Sequence, residues 1–201
     1  MAKVDLTQFQ WLNPSTLRRE GEAWVIAAPA ESDFFRSHSA PAADGTLPDS
    51  KDDAPYLYTS VTGDFVLRAR VQHGFADTYD ACALMVRVNE QVWGKICFEK
   101  TDFDTHAVVS VVTNGVSDDA NGPNVEGDTL WLQMVRVGRS FALHYSLDGK
   151  QFFMLRYFYL PASETVQVGL VAQAPRGSGG ERYFYDVTLE SRTVGNIRSG
   201  V

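Results

Sequence analysis

The sequence predicts an all-β domain, a sandwich or a barrel, and three observations carry that reading. Nine short runs rich in Val, Phe, Tyr, Leu and Thr follow one another after Asp53, turn dipeptides separate them at close spacing, and no apolar set of helical period competes with them. The runs are 65–72, 80–88, 92–99, 107–113, 129–137, 141–147, 152–158, 166–173 and 183–191. Asn114-Gly115, Asn121-Gly122, Asp148-Gly149 and Gly179-Gly180 supply residues that tolerate the positive φ of tight hairpin turns. Nine or more strands in one domain must close on themselves or pack as two sheets to bury their apolar faces.

Upstream of these runs, Trp11-Leu12-Asn13-Pro14 and Trp24-Val25-Ile26-Ala27 read as short strands, and 37–53 reads as a long polar surface loop inside the domain. With 201 residues, the chain is expected to form a single domain over 1–201. Its 12 Phe, 8 Tyr and 4 Trp supply enough apolar area to offset chain entropy, which excludes disorder. Eighteen Lys and Arg against twenty-five Asp and Glu argue against nucleic acid, whose binders draw their affinity from cationic neutralisation of phosphates. The start, Met1-Ala2-Lys3-Val4-Asp5, has no apolar leader core and no long uninterrupted apolar stretch follows, so a soluble, cytoplasmic protein without membrane contact is expected.

Pairing registers can be tested by asking whether opposed apolar sets share a face. Around Asn89-Glu90-Gln91, pairing Val88 with Val92 sets Val86 against Gly94, Leu84 against Ile96 and Cys82 against Phe98 on the core side. The other face then carries Arg87 opposite Trp93, Met85 opposite Lys95, Ala83 opposite Cys97 and Ala81 opposite Glu99. Cys82 and Cys97, the two cysteines, point to opposite faces and cannot bond. Turns at Gly138-Arg139 and Asp148-Gly149 join three further runs. Pairing Val137 with Ser140 and Leu147 with Lys150 gathers Leu130, Leu132, Met134, Phe141, Leu143, Tyr145, Phe152 and Met154 on a core face, with Arg136 and Arg156 flanking Phe141 at its end. The reverse face, with Trp131, Gln133, Val135, His144 and Phe153, is too apolar for plain exposure and reads either as a groove or as a face covered by the N-terminal segment.

The strings 79–87 (Tyr79-Asp80-Ala81 onward) and 92–99 (Val92-Trp93-Gly94-Lys95 onward) resemble the domain-of-unknown-function 1349 family, the regulation-of-enolase-like proteins. The likeness continues through Ser110-Val111-Val112-Thr113-Asn114-Gly115, Arg136-Val137-Gly138-Arg139, Tyr145-Ser146-Leu147-Asp148-Gly149, Asp33-Phe34-Phe35-Arg36 and Gly63-Asp64-Phe65, and so covers most of the chain. Where members usually carry Ser-Asp-Trp, this chain reads Ser117-Asp118-Asp119. The resemblance implies a concanavalin A-like jelly-roll sandwich of two antiparallel sheets. It assigns no biochemical activity.

Jelly rolls of that superfamily include lectins, glycosidases and lyases, so paired carboxylates are the first feature to seek. Glu31-Ser32-Asp33-Phe34-Phe35-Arg36 and Glu126-Gly127-Asp128-Thr129-Leu130-Trp131 come nearest to the laminarinase-like string, and both lack its terminal Glu. The better candidate is the outer-face row Arg87, Trp93, Lys95 and Glu99, where an aromatic plate beside a cation and a carboxylate is suited to a sugar. Lys95 and Glu99 would also serve as acid and base on an acidic sugar held by Arg87; the plainer alternative is an exposed cross-strand Lys and Glu network. Gln133 and His144 are added as further ligand contacts, His144 having a structural role as its alternative.

No metal site is expected: His38, His73 and His106 are scattered, and Asp118-Asp119-Ala120-Asn121 reads as a solvated turn sooner than as a calcium loop. No phosphate-loop, dinucleotide or nucleophile-elbow motif appears, and no cofactor is expected. Three readings stand at this point: a carbohydrate-binding module, an enzyme on acidic sugars, and an interaction module that docks a protein partner or a second copy of itself.

Overall fold

A computed structural model describes residues 3–201, and no α-helix occurs among them. In chain order the strands are β1 (Gln10–Leu12), β2 (Leu17–Glu20), β3 (Ala23–Pro29), β4 (Phe34–Phe35), β5 (Lys51–Asp52), β6 (Tyr56–Thr62), β7 (Phe65–His73) and β8 (Ala81–Asn89). They continue as β9 (Val92–Lys100), β10 (His106–Asn114), β11 (Val116–Asn124), β12 (Thr129–Val137), β13 (Ser140–Ser146), β14 (Phe153–Tyr159), β15 (Thr165–Gln173) and β16 (Gly179–Glu190). One seven-stranded sheet runs β1-β6-β15-β8-β9-β10-β11, a second runs β14-β13-β12-β7-β16-β3-β2, and β4 pairs with β5 in a small ribbon. Every pairing is antiparallel, and the two sheets stack as the concanavalin A-like jelly-roll sandwich that the resemblance implies.

The core lies between the sheets, where Leu84, Ile96 and Phe98 of the first meet Leu67, Leu132 and Phe184 of the second. Gly94 stands in this core phase because Phe158 takes the space: a Cβ there would lie 2.8 Å from its ring. The β8–β9 hairpin has the register derived from parity, with Val86 opposite Gly94, Cys82 opposite Phe98 and Ala81 opposite Glu99. A bulge past Arg87 replaces the expected Val88–Val92 pair by Asn89 opposite Val92. Both cysteines are buried and free.

Three expectations fail here for local reasons. First, 116–124 is a strand, not a turn region: its side chains are mostly polar because it is an edge strand with little to cover, and Asn121-Gly122 lies inside it. Asp118 and Asp119 therefore project to opposite faces, and Asp118 pairs with Arg156 at 3.3 Å instead of joining a calcium loop. Among the described residues no group of three His, Cys, Asp or Glu is placed to hold a metal. Second, the β13–β14 register slips. A bulge at Leu143/His144 sets Tyr145 against Phe153 and Phe141 against Phe158, so Met154 is exposed, Phe152 is only half-buried, and neither belongs to the core. Arg136 still lies over Phe141, 5.5 Å from its centroid, but Arg156 stands opposite Leu143. Third, β6, which the sequence runs omitted, pairs between β1 and β15.

The semi-apolar outer face of the second sheet is covered, but by the C-terminal segment and not by the N-terminal one that the sequence reading offered. Val194 and Ile197 pack on Val66, Val135 and Val137. Gly200, at φ +74, passes so close that a Cβ would meet Gln133 Nε2 at 2.3 Å. No helix is long and apolar enough to cross a membrane among the described residues.

Trp93 is 1% exposed, under Phe34 on the outer side of the first sheet. Trp93→Ala is expected to lower unfolding stability by about 3–5 kcal/mol in urea titrations; a change under about 1 kcal/mol would contradict this placement.

Candidate functional site

The outer face of the first sheet is where the site forms, because the sequence there is small. Ala81, Ala83 and Met85 of β8 and Val171 of β15 leave room for a strap, 33–54, to lie across the sheet. Phe34 makes edge contacts with Trp93 at 6.1 Å and with Tyr56 at 6.2 Å. The strap is also tied at its ends. Arg36 and Ser117 exchange hydrogen bonds of 2.9 Å at the β11 edge, and Asn13 Nδ2 donates to Asp52 O and Ala54 O.

Beside the strap a groove of about 600 Å³ opens over β9, β10 and β11. Lys95, Glu99, Val109 and Val111 form its floor, and Asp33 and Phe35 of the strap form one wall. Tyr79, Asp102, Phe103 and Arg176 stand at the mouth, and Asp119 and Asn121 close the β11 side. Phe103, on the β9–β10 loop, is 76% exposed and offers an open ring face at the rim.

Lys95 is buried and saturated. Its Nζ donates to Phe34 O at 2.8 Å, Gln173 Oε1 at 2.8 Å and Asp33 Oδ1 at 3.0 Å, using all three protons. Burial works against the charge, but Asp33 and the neighbouring acids outweigh it and the ammonium pKa ends raised. Glu99 is the opposite case: 7% exposed, facing the groove, and with no hydrogen-bond partner among the described residues. Burial first, then Asp33, Asp119 and Asp102, push its pKa up to about 8 against the pull of Lys95, so at neutral pH it carries a proton. Asp119 is raised as well, by burial and by Asp33.

A neutral carboxyl can both donate to and accept from a hydroxyl, which gives the groove a sugar-compatible polar centre. With Asp119 it does not make a retaining glycosidase pair. Asp119 lies two strands away in the Lys95 row, four residues along from Glu99, about 13 Å lengthwise and about 10 Å across by ordinary strand spacings. Adjacent carboxylates about 5 to 5.5 Å apart are what that chemistry needs.

The six residues singled out from sequence separate into three places. Lys95 and Glu99 sit in the groove. Trp93 and Arg87 share their face, but Trp93 is sealed under Phe34 and cannot stack on a ligand, while Arg87 donates to Gln167 at 3.2 Å away from the groove. Gln133 and His144 lie on the far side of the sandwich, under the C-terminal segment: Gln133 accepts from Arg68, and His144 Nε2 donates to Ile197 O at 3.1 Å and Arg198 O at 3.2 Å. Tyr79, Phe103, Asp33, Asp119 and Gln173 were not picked out, since each arrives through a loop, the strap or a distant strand. Asp33-Phe34-Phe35-Arg36 and the string opening at Tyr79 carried a signal, as blocks of the family resemblance.

A family model described as "Protein of unknown function (DUF1349)" matches residues 11–192. "Regulation of enolase protein 1" of Saccharomyces cerevisiae is 27% identical over 191 residues, covering 92% of this chain and 91% of that protein. A crystal structure of a functionally unknown protein from Saccharomyces cerevisiae superposes with a TM-score of 0.82 at 25% identity, covering 95% of this chain and all of that one. Carbohydrate binding module CBM66 from Bacillus subtilis shares the fold, with a TM-score of 0.56 at 15% identity over 90% of this chain and 95% of that one.

Lys95→Met strands three acceptors at once and is expected to cost about 3–5 kcal/mol in urea titrations while exposing 37–50 to limited proteolysis; wild-type stability together with wild-type protease resistance would reject the clamp. Glu99 has its pKa raised on folding, so native stability falls as pH climbs from its ordinary 4.5 to about 8 and is level above. Glu99→Gln is therefore expected to match wild type near pH 4.5 and to exceed it at alkaline pH, by as much as about 4 kcal/mol, with melting curves across pH as the check.

Proposed function

The chain belongs to the DUF1349 family of proteins of unknown function, and we propose that it binds a carbohydrate or sugar-derived ligand in the groove over β9, β10 and β11. The observation that carries this is the buried Glu99 carboxyl, without a hydrogen-bond partner among the described residues and with its pKa pushed up by burial, at the floor of a groove rimmed by Tyr79 and the open ring of Phe103. Such a group hydrogen-bonds a hydroxyl in both directions, and a flat ring covers the apolar C–H face of a sugar. About 600 Å³ accommodates a small saccharide. The carbohydrate-binding module that shares the fold supports the same reading.

Action on an acidic sugar fits the groove less well. Lys95, the cation it would need as base or carboxylate anchor, has no proton or lone pair to spare, and the lining carries five acids, Asp33, Asp49, Glu99, Asp102 and Asp119, against Lys51, Lys95 and Arg176. A uronate carboxylate would enter against that charge.

Amide chemical-shift mapping with millimolar neutral mono- and oligosaccharides tests the proposal. Shifts are expected around Tyr79, Glu99 and Phe103, and Phe103→Ala is expected to weaken binding about fivefold or more, within the range of a lost ring contact, while Arg87→Ala leaves it unchanged. A panel in which no groove amide moves would defeat the reading.

A further inference from the structure

The groove holds a buried acid that forms no ion pair among the described residues. Glu99 is nine-tenths buried, opens only towards the groove and has no hydrogen-bond partner among the described residues. A carboxyl group in that position is stabilised as an anion only by a cation or by several donors. The three cations of the lining do not provide this. Lys95 spends its protons on Asp33, Phe34 and Gln173; Lys51 donates to the Glu31 carbonyl; Arg176 is exposed at the mouth, where its charge acts on Tyr79.

Resting on the groove reading above, we propose that the preferred ligand carries a protonated amine seated against Glu99, the class being amino sugars with a free ammonium group. The hydroxyls and ring face of such a sugar suit the walls, and its ammonium supplies the missing positive charge. Seating it on the neutral carboxyl converts Glu99–COOH and R–NH3⁺ into the ion pair Glu99–COO⁻ with R–NH3⁺ and one proton released to solvent. The groups that face Glu99 set the direction of this exchange. Asp33 from the strap, Asp119 from β11, Asp102 from the β9–β10 loop, Tyr79 from the loop before β8 and Cys97 on the same strand add no positive charge, and Lys95 is the cation that draws its pKa down. An ammonium ligand adds a second.

Isothermal titration of the full chain with glucosamine, glucose and ethanolamine, near pH 6.5 in two buffers of different ionisation enthalpy, decides the matter. Glucosamine is expected to bind about tenfold or more tightly than glucose, as a close ion pair predicts, and to release close to one proton per site. Glu99→Gln, which is expected to fold with undiminished stability, should abolish both the preference and the release. Equal affinity for glucose and glucosamine, or a preference that survives Glu99→Gln, overturns the amine inference and leaves the groove reading standing. Ethanolamine binding with Glu99-dependent proton release and no sugar binding keeps the amine and overturns the carbohydrate reading. Failure of all three ligands to bind overturns both.

Discussion

One ammonium group determines what the outer face of the first sheet can be. Lys95 points away from the core, on a strand face that an ordinary sandwich would leave in water, yet it is buried, and a buried charge needs a full set of acceptors. Two of these lie 62 and 61 residues upstream, at Asp33 and Phe34, and one lies 78 residues downstream at Gln173. Meeting them draws the strap over the sheet and brings the end of β15 to the same point. Phe34 is thereby set down on Trp93 and Tyr56, and an outer face made of alanines becomes a second, smaller apolar layer. The groove is the part of that face the strap leaves open.

The strand pattern was legible because the side-chain period of two is local. Arg87 opposite Trp93 and Ala81 opposite Glu99 follow from one turn and the requirement that apolar sets coincide, and that register is the observed one. The register failed at β13–β14, where a bulge adds one residue that no parity argument counts and moves Met154 and Phe152 off the core face. Strand β11 was illegible for a different reason: an edge strand keeps its ladder hydrogen bonds while carrying Asp118, Asp119 and Asn121, so composition points to a turn. The site was half legible. Lys95 and Glu99 are four apart on one strand and announce themselves as a row, but whether that row lies open, sealed or clamped depends on segments 60 to 80 residues away.

The two outer faces of the sandwich show how much that difference matters. Both carry buried polar side chains, and both are crossed by a segment from elsewhere in the chain. On the second sheet the crossing is complete: Arg68 donates to Gln133, Gln133 Nε2 donates to Gly200 O at 3.3 Å, and His144 reaches two further carbonyls of the C-terminal segment. Those contacts are supplied by the chain itself, although His144 Nδ1 is left buried without a partner among the described residues, and the contact at Gly200 is too close to admit a side chain, let alone a ligand. On the first sheet the strap satisfies Lys95 and stops. Glu99, two repeats of the pleat further along the same strand, receives no hydrogen bond from it.

That asymmetry is what gives the groove its character. Asp33 and Gln173 hold the ammonium, and its pull on Glu99 is outweighed by burial and by the acids around it, which keep the proton on the carboxyl. A carboxyl group kept neutral in this way resists anions, tolerates hydroxyls and gains most from a ligand that brings its own positive charge. The selectivity of the groove is therefore set one residue pair away from the ligand, by where the strap spends the protons of Lys95.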